Sequence, residues 1–75
     1  MDVDKLVRMA NQIAANFDGG RDESLAVAGV TDHISRFWSP SMRKQLIARW
    51  REDPSDLSPR AAQAIASIAE SMATP

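Results

Sequence analysis

Few side chains in this 75-residue sequence are equipped for chemistry. There is one histidine, His33, with Asp32 beside it and several serines nearby, and there is no cysteine or tyrosine. A catalytic nucleophile needs a base within hydrogen-bond reach, and the base needs an orienting group. Adjacent residues on a helix point about 100° apart, so Asp32 is poorly placed to orient His33. The pair reads as a boundary histidine with Phe37 one turn on. "DGGRD" (18–22) offers glycines without the spacing of a phosphate-cradling loop. With no cysteine, a lone histidine builds no metal site without carboxylates around it. No catalytic, cofactor-binding or metal-ligating residue is assigned, and the chain is expected to carry no cofactor of its own.

Binding chemistry is better represented. The stretch from His33 to Arg51 contains Arg36, Arg43, Lys44, Arg49 and Arg51 and no acidic residue, with Phe37, Trp38 and Trp50 interleaved. Basic and aromatic side chains together suit nucleic acid. Here, however, the aromatics fall at helix-core spacing. The formal net charge of −1 also leaves no cationic surplus for phosphates. Arg43 falls inside an apolar stripe, between Ile47 and Trp50. A charge there is costly unless paired. Either its stem snorkels along Trp50, or its guanidinium is reserved for a carboxylate of another chain, which it grips bidentately. Trp, Met and Arg are enriched at protein interfaces. The candidate partner-binding residues are therefore Met9, Phe17, His33, Phe37, Trp38, Met42, Arg43 and Trp50.

The elements that must position these residues are helices. Val3, Leu6, Val7, Ala10, Ile13, Ala14 and Phe17 keep the 3/4 spacing of one helix face, which predicts a helix over about 3–17. Asp2 or Asp4 can cap it, and Gly19-Gly20 closes it. A second helix is expected over about 23–38, with Val27, Val30, Ile34, Phe37 and Trp38 within about 100° of arc. Gly29 weakens it by about 1 kcal/mol relative to Ala, for which close approach of another backbone is the expected compensation. Ser39-Pro40 stops one helix and starts the next. The third covers about 40–51, with Met42, Leu46, Ile47 and Trp50 facing inward. Residues 52–58 read as a polar connector. Ser58-Pro59 opens a fourth helix over about 59–72, whose narrow face of Ala61, Ile65, Ile68, Ala69 and Met72 predicts the least firmly held element.

No strand-like alternation appears, so the expected fold is all-α, a small bundle of three main helices plus a weaker C-terminal one. Residues 1–75 fit a single small helical domain. A core of this size rarely supplies more than about 3–5 kcal/mol. With no disulfide to help, docking on a partner is the remaining staple. A thin core with a large outward apolar patch is expected. The acidic start "MDVD" does not resemble a targeting peptide. No apolar run approaches the roughly 20 residues a membrane span needs. The expected setting is cytoplasmic, with neither membrane nor nucleic acid as partner.

Two stretches, "DKLVRMANQIAANF" (4–17) and "VAGVTDHISRFWSPSMRKQL" (27–46), carry a resemblance. With the resemblance spanning about residues 4–50, the chain is similar to the delta subunit of cytoplasmic NAD-dependent molybdenum- or tungsten-containing formate dehydrogenases. The resemblance implies a non-catalytic accessory subunit that docks on a large catalytic subunit and stabilises or helps assemble the complex. It also implies that the partner subunits carry a pyranopterin Mo/W centre, iron–sulfur clusters and FMN, and perform formate oxidation or CO2 reduction. A dissociable assembly factor for metal-cofactor loading is one alternative. A small nucleic-acid-binding helical module is another.

Overall fold

Short polar side chains set the helix starts. The Asp2 carboxylate accepts a hydrogen bond from the Asp4 backbone N–H at 3.0 Å, and the Asp22 carboxylate accepts from Ser24 N–H at 3.0 Å. The Ser39 hydroxyl accepts from Met42 N–H at 3.2 Å. Each satisfies a donor that the first helical turn leaves free. In this computed structural model, which describes residues 2–17, 20 and 22–73, these caps open α1 (Val3–Asn16), α2 (Glu23–Phe37) and α3 (Pro40–Glu52). A 3-10 turn spans Pro54–Asp56. The final helix, α4 (Pro59–Ala73), starts behind Ser58, whose hydroxyl accepts from Ala61 N–H at 3.3 Å. The described residues form helices and no strand, and the four helix boundaries lie within one residue of those read from the pattern. Asp18, Gly19 and Arg21 of the "DGGRD" stretch lie outside the described residues, and Gly20 takes a left-handed φ of 66°.

Each helix contributes one buried face to a shared core. Leu6, Val7, Ala10 and Ala14 come from α1, Val30 and Ile34 from α2, and Leu46 and Ile47 from α3. The fourth helix adds Ala61, Ala64, Ile65, Ile68 and Ala69.

Four expectations are corrected by this packing. The fourth helix, read as the least firmly held, makes the largest helix–helix contact in the bundle, with α2, and also meets α1 and α3. Its alanines cause this, since small side chains let helix backbones approach closely while Ile65 and Ile68 fill the space between. The connector is not wholly polar either, because Leu57 is buried beneath the chain reversal. Gly29 is approached by a ring rather than by backbone. A Cβ there would lie 2.5 Å from Phe17 Cδ1 and closer still to Cε1. Lastly, the outward apolar excess is small. Among the described residues only Leu25 (62% exposed) and Phe37 (71% exposed) are exposed large hydrophobics.

Candidate protein-docking surface

Phe17 closes α1 with an extended backbone at φ −80°, ψ 130°, and its N–H bonds Ile13 O. Leaving the helix there carries its ring across to α2, where the missing Cβ of Gly29 makes room for it. The ring meets His33 edge-on, centroids 6.2 Å apart at an interplanar angle of 75°. His33 in turn lies 4.9 Å from Phe37, tilted by 50°. Positions 25, 29, 33 and 37 are successive steps of four, each advancing only about 40° around the helix. Exposed Leu25 thus shares the same stripe. Beside the row, Ile13, Asn16, Phe17 and His33 line a surface hollow of about 220 Å³. The result is a semi-rigid aromatic edge beside a small recess. Aromatic side chains supply large contact area at low entropic cost, which suits them to anchor a protein interface.

The edge is held from behind by Arg60, at the start of α4. Its Nη1 donates to the carbonyls of Ala14 and Phe17, both at 2.7 Å. Nε and Nη2 donate to the two oxygens of Glu23 at 2.8 and 2.9 Å. One guanidinium therefore joins the end of α1, the start of α2 and the start of α4. It satisfies helix-end carbonyls that would otherwise lack a donor within the helix. The hydrogen bond from Arg60 holds Glu23 below the ordinary carboxylate range, against the opposing cost of desolvation.

Two further clamps fix the connector. Arg49 bridges Asp4 and Asp56, with both contacts at 2.7 Å. The bond from Asp4, then that from Asp56, raises the Arg49 pKa above its usual value. Asn11 donates to Asp56 O at 2.8 Å and accepts from Ser58 N–H at 2.9 Å. Periodicity gave no sign of Arg60, Arg49 or Asn11, because their partners lie in other elements.

A scan against family models matches residues 5–65 to the family described as "NADH-dependant formate dehydrogenase delta subunit FdsD". The chain belongs to this family. No curated protein and no solved structure matches it. The delta-subunit match extends past the 4–50 resemblance read from the sequence and takes in the connector and the first turns of α4. Arg60, which holds the aromatic edge, lies within it.

The other candidate residues of this delta-subunit family member are not gathered with the edge. Trp38 is 6% exposed and lies in the core, so this candidate partner-binding ring is enclosed. The reason is the turn: α2 stops at Phe37, the backbone at Trp38 becomes extended at φ −94°, ψ 140°, and the indole swings inward while Phe37 stays outside. Met9, Met42 and Trp50 are partly buried against the core. Arg43 is also partly buried, and its Nε is a buried side-chain nitrogen without a hydrogen-bond partner among the described residues. Among the described residues no three His, Cys, Asp or Glu side chains converge to hold a metal ion, and no helix is long and apolar enough to cross a membrane.

Proposed function

We propose that this chain is a non-catalytic accessory subunit of an NAD-dependent formate dehydrogenase. It docks on the large catalytic subunit through the Phe17–His33–Phe37 edge and stabilises or helps assemble the complex. The observation that carries this reading is Phe37, 71% exposed on a row of packed rings in a member of the delta-subunit family. An exposed aromatic held in a row of packed rings offers the large contact area at low entropic cost that anchors a protein interface. The chemistry belongs to the partner subunits, to which the sequence resemblance assigns the pyranopterin Mo/W centre, the iron–sulfur clusters and FMN. The residues here do not fit an iron–sulfur cluster: there is no cysteine to ligate one, and there is one histidine. The same reading places the chain in the cytoplasm.

Replacing Phe37 with Asp tests the proposal. Because the ring is exposed, free-chain helix content and melting temperature should change little. Recovery of the large subunit with tagged chain should fall at least about tenfold, the effect of losing a hot-spot side chain. Undiminished recovery, with equal formate-dependent NAD reduction by the complex, would refute docking by this edge.

A further inference from the structure

The third helix carries two differently charged edges. On one, Arg49 is neutralised by Asp4 and Asp56, and Glu52 and Asp53 join Arg49, Val3 and Gln45 around a hollow. On the other, no acid is among the residues that line a groove. Lys44 and Arg51 are exposed there and form no ion pair among the described residues, unlike Arg36, Arg49 and Arg60, which are all paired to carboxylates. They stand at either end of this groove of about 300 Å³, lined otherwise by Ile47, Ala48, Ala69 and Met72. The groove follows the seam between α3 and α4. Its lining is aliphatic and its two charges have one sign.

The spacing is regular. Lys44 and Arg51 are seven residues apart, two helical turns, or about 10 Å along the axis. Arg43, adjacent to Lys44, has a buried Nε with no acceptor among the described residues. Among the described residues neither Lys44 nor Arg51 is neutralised, in a chain whose formal net charge is −1. The excess is a local arrangement and not a property of the composition.

We infer that the α3–α4 groove receives an acidic amphipathic helix of the partner subunit. Its aliphatic side chains lie on Ile47, Ala48, Ala69 and Met72, and carboxylates two turns apart meet Lys44 and Arg51. The inference rests on the accessory-subunit reading and adds a second contact to the aromatic edge. An apolar floor between like-charged ends matches a helix laid in a groove. A nucleic acid strand fits less well, since the floor offers aliphatic carbons where bases need exposed aromatic faces to stack. Electrostatic complementarity of this kind sets partner choice and encounter rate, and it weakens with salt.

The test compares tagged wild-type chain, Lys44→Glu/Arg51→Glu, the milder Lys44→Gln/Arg51→Gln, and Phe37→Asp, each expressed with the remaining subunits. At low ionic strength the double Glu variant should recover about tenfold less large subunit than wild type, and the double Gln variant about threefold less. Near 0.5 M salt, where the Debye length is only about 4 Å, the differences should shrink to within about twofold. Circular dichroism of each free chain should match wild type. Carbodiimide treatment of the intact complex should join Lys44 Nζ as an amide to an Asp or Glu of another subunit, identified by mass spectrometry. Wild-type recovery of both double variants at low salt would overturn the inference. So would retardation of a random single-stranded oligonucleotide by wild-type chain that the double Glu variant loses, because the cations would then serve phosphate. Loss of recovery for Phe37→Asp with none for the Lys44/Arg51 variants would sink this contact and leave the aromatic edge standing.

Discussion

Gly29→Ala sets two calculable effects against each other. Alanine in a helix interior is favoured over glycine by about 0.8–1.0 kcal/mol. Against this, the new methyl carbon would sit 2.5 Å from Phe17 Cδ1, about 1 Å inside ordinary carbon–carbon contact. Either the ring rotates away from His33 or the end of α1 shifts, and overpacking of this kind typically costs about 1–3 kcal/mol. Stability should therefore fall by about 0–2 kcal/mol, against the direction of helix propensity. In a Phe17→Ala background the obstacle is gone, and the same Gly29→Ala change should stabilise by about 1 kcal/mol. Urea unfolding of the four proteins gives the coupling directly, expected at about 1–3 kcal/mol. If Gly29→Ala raised stability by the full propensity increment in both backgrounds, the ring would be free to move, and Gly29 would not be what seats Phe17.

Three other outcomes are expected. Trp38→Ala removes an enclosed ring and should cost about 3–5 kcal/mol, enough to unfold much of the free chain as read by far-ultraviolet circular dichroism; native helix content with only the complex lost would show that the indole is a docking anchor after all. Arg60→Ala strips the cap from the carbonyls of Ala14 and Phe17 and should cost about 1–3 kcal/mol, with Arg60→Lys recovering only part because the fork is lost; equal urea midpoints for all three proteins would mean water replaces the guanidinium without loss. Glu23, Asp22 and Asp53 have lowered pKa values, held respectively by the bond from Arg60 and by the hydroxyls of Ser24 and Ser55. Lowered carboxylate values give stability that is present above the unfolded pKa and lost as pH falls through the folded one, so the melting temperature should hold from pH 7 to about pH 5 and decline below about pH 4; a rise on acidification would contradict the cap and ion-pair assignments.

The helices were legible because their signals are local. Asp2, Ser39-Pro40 and Ser58-Pro59 mark starts through bonds within three residues, and the 3/4 spacing of Leu6, Ala10 and Ala14 needs no knowledge of a partner helix. The rank of the helices was not legible. Side-chain size suggested that an alanine-rich face buries little, whereas in the bundle Ala61 and Ala64 set how closely α4 approaches its neighbours, a property of pairs of helices. Phe37 and Trp38 illustrate the same limit at the candidate site. Both lie on the apolar arc of α2, and the one-residue position of the helix end decides which ring is enclosed. His33 and Phe37 could be paired from their spacing of four. Phe17 joins them by laying its ring over Gly29, a long-range contact that glycine signals only as an unexplained weakness in a helix.

The place of α4 in the packing bears on how the chain is made. Synthesis delivers α1, α2 and α3 first, yet the surface that covers much of α2 arrives with residues 61–69. Until those residues leave the ribosome, the face of α2 that packs on α4 is uncovered, and the nascent chain is a sticky intermediate. Arg60 emerges immediately ahead of that surface and has binding partners waiting at Ala14, Phe17 and Glu23. A ribosome stall or truncation before about residue 61 should therefore release an aggregating or chaperone-bound fragment, whereas one after Ala69 should release a chain that folds.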